Sequence, residues 1–300
     1  MADIRHQNRK KEQEKYIAKP KPQISLDGDQ ATVAGIFGAE CLVLLDGNYA
    51  RCKPLAGLAI GDEVLVKDAA VQCVLPRRTV LSRPNPANPL LEKVLAANVD
   101  LVVAVGSVGT PPFRPGLIDR ISIAAARGGA EVLLCVNKCD LGVNEEERVS
   151  LSNYIDLRMA MCSCETGEGL PELREAIRGR TCVFAGHSGV GKSSLVNALC
   201  PVARQATGEV GSFKGRHTTT SSSLLVEPDG TRLIDTPGIR EFGLWRIEAA
   251  ELKAYFPEFA AFPCGFRDCT HTHEPTCAVR EAGLNRYRTY LRIRSSMTES

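Results

Sequence analysis

From about Ala31 to Arg83 the chain alternates apolar and polar positions in short runs, "ATVAGIF", "ECLVLL", "YARCK", "DEVLV" and "QCVLPRRTVLS", broken by turns such as "DGN" and "AGLAIGD". Such alternation predicts strands, because successive side chains of a strand point to opposite faces. The compact series predicts a small β-barrel of the OB (oligonucleotide-binding) type, and an SH3-like barrel would give much the same pattern.

"RPNPANP" (83–89) reads as a proline-rich linker. Beyond it, apolar runs alternate with amphipathic stretches: "VDLVVAVG", "GLIDRISIAAARG", "EVLLCVN", "EEERVSLSNYI", "MAMCSC", "LPELREAIRG", "TCVFAG" and "KSSLVNALC". Buried strands joined by crossover helices imply a parallel sheet. After "LIDTPG" (233–238) the alternation stops and a segment rich in cysteine and arginine follows. The expected architecture is multidomain: an arm at 1–23, an OB-type barrel at 24–83, an α/β unit at 84–245 and a small C-terminal domain at 246–300.

Composition narrows the class. A chain of 300 residues, 44% hydrophobic and 24% charged with net charge +2, suits a soluble globular protein of more than one domain. No apolar run reaches the ~20 residues of a membrane span, so no membrane partner is expected. Residues 1–23 carry seven Lys/Arg against three acids and contain no apolar core for a signal peptide, which predicts a basic arm and a cytoplasmic protein. The twelve cysteines are then expected to stay reduced. Three of them crowd into 264–277, which suggests metal; most of the others fall in apolar runs as small core residues.

The chemistry lies in the α/β unit. "GHSGVGKS" matches G-x-x-x-x-G-K-S directly after the strand "TCVFA" and at the start of a helix. Backbone N–H groups of Gly186, His187, Ser188, Gly189, Val190 and Gly191 can wrap phosphate oxygens. Lys192 reaches the outer phosphates, Ser193 is placed to ligate magnesium, and Ser194 follows in the first helical turn. "LIDTPG" supplies Asp235 for the magnesium shell and the Gly238 N–H for the terminal phosphate. In "NKCD", Asp140 offers two acceptors to the two donors on guanine's Watson–Crick edge, a donor pair that adenine lacks. Asn137 ties this loop to its neighbours, and Lys138 can lay its stem along the base. "CSCETGEG" (162–169) reads as a second base loop, with Ser163 bracing Asp140 and the Cys164 N–H meeting the guanine oxygen.

The base reader precedes the phosphate loop, the reverse of the usual order. This is a circular permutation, which cuts and rejoins the strands of a sheet without altering the site they build. It also sends the chain from the phosphate-sensing "LIDTPG" loop straight into the C-terminal segment. Ile239 stands where a Ras-like protein has its water-positioning glutamine, so intrinsic hydrolysis should be slow. His217 in "GRHTTT" (215–220) is the candidate to orient or deprotonate water, and Thr219, or else Thr218, is expected to close over magnesium.

"CGFRDCTHTHEPTC" (264–277) offers Cys264, Cys269, His271 and Cys277 as a closed tetrahedral shell for one structural zinc, with His273 an alternative fourth ligand by spacing. Downstream, arginines 280, 286, 288, 292 and 294 interleave with Tyr287 and Tyr290, residue types suited to phosphate contacts and stacking, or to a solvated helical face.

Barrel, "RP…AN" linker, permuted motifs, "GRHTTT" and Cys/His cluster together resemble the circularly permuted ribosome small-subunit-dependent GTPase A family (RsgA, or YjeQ) over nearly the whole chain. The resemblance implies a monomeric GTPase, slow alone and stimulated by the small ribosomal subunit, whose rRNA it would contact late in subunit maturation. It also implies His217 in hydrolysis and His271 as the fourth zinc ligand. Two rival readings are a GTP-dependent signalling or metal-delivery protein, and a non-catalytic RNA-binding module that uses GTP structurally.

Overall fold

The computed structural model describes residues 27–201, 223–235, 244 and 247–298, and the arm expected at 1–23 lies outside them. Five strands open the described chain: β1 (Asp29–Phe37), β2 (Glu40–Leu45), β3 (Asn48–Cys52), β4 (Glu63–Lys67) and β5 (Ala70–Val74). They pair antiparallel in the order β3-β2-β1-β4-β5. The two ends of this ladder meet where Lys53 bridges Ala70 in parallel: Lys53 N–H donates to the Ala69 carbonyl at 2.8 Å and Val71 N–H to the Lys53 carbonyl at 3.0 Å. Val33, Val43, Val64 and Val71 are buried within it. The Gly57–Asp62 turn is fastened by the fully buried Asp62, whose carboxylate accepts from Ala59 N–H at 2.7 Å and from Arg77 Nε and Nη2 at 2.6 and 2.8 Å.

The stretch read as a linker is instead a β-hairpin, β6 (Val80–Asn85) and β7 (Asn88–Ala97), paired from Val80↔Ala97 to Asn85↔Asn88. Proline reads as a breaker in sequence. In a two-stranded hairpin, however, each strand is an edge, and a proline whose nitrogen faces away from its partner costs no ladder bond. Leu81, Ala96 and Ala97 bury the hairpin's base.

Next comes the large sheet, in the order β10-β9-β8-β11-β13-β12, where β8 is Leu101–Ser107, β9 Glu131–Asn137, β10 Arg158–Met161, β11 Thr181–Gly186, β12 Ser223–Val226 and β13 Arg232–Asp235. All pairings are parallel except β12 with β13. Every residue of β8 is buried, as expected for a parallel strand covered on both faces. The outer edge of β12 touches the first ladder through Gly35↔Ser223, and the Tyr49 hydroxyl donates to the Leu224 carbonyl at 3.3 Å.

Helices α1 (Pro115–Arg127), α2 (Glu145–Leu151), α3 (Leu170–Ile177) and α4 (Lys192–Leu199) connect these strands. Pro115 occupies the first turn of α1, where its missing N–H costs nothing, and Ile118, Ile121 and Ala125 form its buried stripe against the sheet. α2 starts with a reciprocal cap between Asn144 and Glu147.

The C-terminal module combines 3-10 turns at Leu252–Tyr255 and Pro257–Ala261 with α5 (Ala278–Glu281) and α6 (Tyr287–Thr298). Its core of Phe256, Phe259, Tyr290 and Ile293 packs on Ile123 of α1. No helix among the described residues is long and apolar enough to cross a membrane.

Asp100 joins the hairpin to the large sheet, accepting from Thr181 N–H and from Arg78 Nη1, each at 2.9 Å. Burial opposes its ionisation, but these donors outweigh that and hold its carboxyl below the usual carboxylate range. A carboxyl whose folded pKa is depressed contributes stability above its unfolded pKa and loses it as pH falls through the folded one. The unfolding free energy should therefore decline below about pH 4, and Asp100→Asn should make that decline shallower in denaturant titrations at successive pH values.

Candidate nucleotide site and metal centre

β11, an interior strand, ends at Gly186 and hands the chain to the loop His187–Gly191, which opens α4. A Cβ on Gly186 would run into the Val105 carbonyl of β8, so only glycine permits this approach. Gly191 caps α4 at φ 94°, and a Cβ there would strike the Asn137 side chain. Lys192 folds over the loop, its ammonium donating to the carbonyls of Gly186 at 2.8 Å and His187 at 2.7 Å. Ser188, Gly189, Ser193 and Ser194 are exposed around it, while Val190 is buried. The first turn of α4 leaves N–H groups without helical partners beside this ammonium, an arrangement suited to phosphate.

The Asn137–Asp140 loop, the candidate base reader, reaches the same place. Buried Asn137, the last residue of β9, donates from Nδ2 to the Val190 carbonyl at 2.9 Å. Lys138 follows at φ 65°, its ammonium held by the Thr110 carbonyl, and Asp140 stands exposed on the Cys139–Leu141 turn. Cys139 N–H donates to the Cys162 carbonyl at 3.1 Å, fastening this loop to the 162–169 loop. Ser163 is fully buried, and its hydroxyl accepts from Glu165 and Thr166 N–H at 3.1 and 3.2 Å; no hydrogen bond joins it to Asp140. It shapes its own loop, with half-buried Cys164 next along the chain.

Asp235 ends β13 beside β11, and its backbone pairs with Ser223. His217, Thr218, Thr219, Gly238 and Ile239 lie outside the described residues. Sequence reasoning passed over the loop Ser107–Arg114, which supplies the Thr110 carbonyl to Lys138 and sets Pro111 beside Gly189. The signal was present: "GSVGTPPF" follows a buried parallel strand, and ligands gather where such strands end.

At the C-terminus, Cys264, Cys269, His271 and Cys277 bring their ligand atoms within 4.8 Å of one another. Cys264 Sγ lies 3.8 Å from Cys277 Sγ, and His271 Nδ1 lies 3.4 and 3.5 Å from those two sulfurs. A tetrahedral zinc with bonds of about 2.3 Å to sulfur and 2.0 Å to nitrogen sets sulfurs about 3.8 Å apart and sulfur and nitrogen about 3.5 Å apart. The four residues thus fit a zinc ion. Burial pushes the Cys269 thiol up to about 12, so a cation is what would make it a thiolate. His273 is outside the cluster, exposed and bonded to Thr272 Oγ1 at 2.9 Å. The Glu274 carboxylate stiffens the loop by accepting from the N–H groups of Thr270, Thr272 and His273. Tyr287 and Tyr290 donate to the carbonyls of His271 and Thr270 at 2.7 and 2.6 Å.

Those last contacts correct the stacking expectation for Tyr290, which is fully buried in the module's core, and Arg286 is buried in an ion cluster. Helical periodicity sends these two inward, and Arg288 and Arg292 remain exposed. Gly191→Ala should cost at least about 1–2 kcal/mol of stability, because it adds a Cβ at positive φ against Asn137; denaturant unfolding measures it.

The RsgA GTPase family model matches residues 74–245. The small ribosomal subunit biogenesis GTPase RsgA of Pectobacterium carotovorum subsp. carotovorum (strain PC1) is 35% identical over 98% of this chain and 92% of its own length. The RsgA 1 protein of Vibrio vulnificus (strain YJ016), named in the same way, is 40% identical over 85% and 79%. The crystal structure of YjeQ from Thermotoga maritima superposes with a TM-score of 0.71 at 29% identity, covering 91% of this chain and 99% of that one. YloQ, described as a circularly permuted GTPase, superposes with a TM-score of 0.65 at 23% identity over 94% and 98%, a likeness of fold. With a family model covering more than half of the sequence and relatives 35% and 40% identical over most of it, the chain belongs to the RsgA GTPase family.

Proposed function

We propose that the protein hydrolyses GTP while docked on the small ribosomal subunit late in its assembly, with nucleotide state controlling docking and release. The observation that carries the guanine-nucleotide part is the Asn137–Val190 bond at 2.9 Å, which holds base reader and phosphate loop in one site. The subunit part rests on the relatives, which are named small ribosomal subunit biogenesis GTPases.

Each residue then has a role. Asp140 accepts from guanine, with Lys138 along the base and Asn137, Ser163 and Cys164 shaping its edge. The loop from Gly186 to Gly191, with Lys192, Ser193, Ser194 and the Gly238 N–H, binds the phosphates. Ser193, Thr219 and Asp235 are the oxygen donors assigned to magnesium, which neutralises charge on the outer phosphates when bound. Ile239 offers no amide to position water, so His217 takes that part.

The first five strands are read as an OB-type barrel because the parallel Lys53–Ala70 bridge closes β3 onto β5. Barrel, basic arm and the exposed Arg288 and Arg292 would hold rRNA, with one structural zinc stiffening the C-terminal domain. The boundaries at 23, 83 and 245 are kept, although the second crosses the β6–β7 hairpin. A monomer in the cytoplasm suits these roles. Burial of Cys269, His271 and Cys277 opposes the metal-delivery reading, since cargo metal must leave.

Asp140→Asn should exchange preference for GTP against preference for xanthosine triphosphate, because its NH2 meets xanthine's carbonyl and opposes guanine's donor; competition binding reads the switch, and unchanged preference removes Asp140 from the base contact. Free protein should turn over slowly, near the roughly 10⁻⁴ s⁻¹ of unstimulated Ras, and purified small subunits should raise the rate. His217→Ala should dock in the GTP form yet lose the rise. Equal stimulation of both proteins would exclude His217 from hydrolysis.

A further inference from the structure

Arg286 lies at the joint between the C-terminal module and the large sheet, 4% exposed, and pairs with Asp119 at 2.9 Å, Glu258 at 3.1 Å and Asp156 at 3.4 Å. Asp119 belongs to α1, Asp156 lies between α2 and β10, and Glu258 sits in the module, so one guanidinium gathers three parts of the chain. Adhesion alone does not explain it, because apolar residues of similar volume hold such a joint at least as well as a desolvated ion cluster. What the charges add is one seated position: displaced from it, Arg286 and Asp119 face each other across a buried gap without partners. A groove lined by Pro115, Asn153, Tyr154, Asn285 and Arg288 opens beside the cluster, so water can reach the joint when it parts.

The seat continues toward the nucleotide site. The guanidinium lies 4.9 Å from the centre of the Tyr154 ring, and the Tyr154 hydroxyl donates to the Pro115 carbonyl at 2.9 Å. Phe113 meets the same ring edge-on at 5.9 Å and lies against Gly106, where a Cβ would collide with it. Between Gly106 and Pro115 runs the loop that offers the Thr110 carbonyl to Lys138 and sets Pro111 3.4 Å from the Cβ position of Gly189. Its Gly109 N–H donates to Glu147 at 2.8 Å. One loop therefore touches the base reader, the phosphate loop and the joint, and the path includes neither "GRHTTT" nor "LIDTPG".

We infer that the Arg286–Tyr154 joint couples module seating to nucleotide retention: the seated module holds the Ser107–Arg114 loop against Lys138 and Gly189, and unseating it speeds release of bound nucleotide. A partner that pulls on the module would then promote nucleotide exchange. Arg286 and Tyr154 are positioning residues here, since neither touches the nucleotide loops directly. The inference rests on the guanine-nucleotide reading of the site.

The test follows dissociation of a fluorescent GDP analogue from the full-length wild-type protein, Arg286→Met and Tyr154→Phe, with hydrogen exchange of residues 287–298 reporting the seat. Tyr154→Phe removes one hydroxyl and keeps the ring, so it should leave the module protected and still speed release roughly fivefold, the worth of one hydrogen bond. Arg286→Met should loosen 287–298 and speed release at least as much. Release within about twofold of wild type in Tyr154→Phe, a change smaller than one hydrogen bond, overturns the coupling, and that variant decides alone if Arg286→Met does not fold. Wild-type protein that fails to bind the analogue overturns the site reading itself, an outcome distinct from unchanged release rates.

Discussion

Everything in the nucleotide site is referred to one strand. β8 pairs in parallel with β9 on one side and β11 on the other, and all seven of its residues are buried. β9 ends in Asn137 and β11 in Gly186, so β8 sets the separation of the two loops proposed to hold opposite ends of the nucleotide. The Asn137 bond to Val190 and the contact of Gly186 with Val105 are possible only because these three strands end together. Permutation changes which strand comes first in the chain and leaves this alignment alone, since the ladder bonds do not record chain order.

The C-terminal module is held by a different balance of forces. Its aromatic core supplies adhesion, each buried Phe contributing about 1.5–3 kcal/mol relative to exposure. The ion cluster at Arg286 supplies position rather than strength. A module fixed only by Phe256, Phe259 and Ile123 could slide on α1, because apolar contact is non-directional. A guanidinium shared among Asp119, Asp156 and Glu258 permits one register. The Cys264, Cys269, His271 and Cys277 cluster could hold a zinc ion, and the structural zinc proposed there would add a second fixed point to a segment of few core residues.

The strand, glycine turn and helix around the G-x-x-x-x-G-K-S stretch were legible because glycines at Gly186 and Gly191 are demanded locally, by one close backbone approach and one positive φ. The strands of the first ladder were legible from alternation and the three cysteines of the Cys/His cluster from spacing, whereas spacing left His271 and His273 open and only the resemblance pointed to His271. The hairpin at 80–97 was not legible, since Pro84 and Pro89 lie in edge strands, which only pairing reveals, and Pro86 falls in the turn between them. Tyr290 and Arg286 were misjudged because a helix face reads the same whether it meets solvent or another helix until its neighbours are known. The Ser107–Arg114 loop was missed because its contribution is a backbone carbonyl at Thr110, to which sequence patterns are blind.

The contact between Tyr49 and Leu224 joins residues 175 positions apart. The first ladder is made early in synthesis from local hairpins, whereas β12 and β13 emerge after most of the chain. Among the described residues, the outer edge of β12 meets β1 at the single pair Gly35↔Ser223, while its other edge pairs with β13. An open strand edge is a template for pairing with another chain, and non-local pairing is slow. The seam between the first ladder and the large sheet therefore cannot close until most of the chain has been made, although the ladder's own strands lie within the first quarter of the sequence.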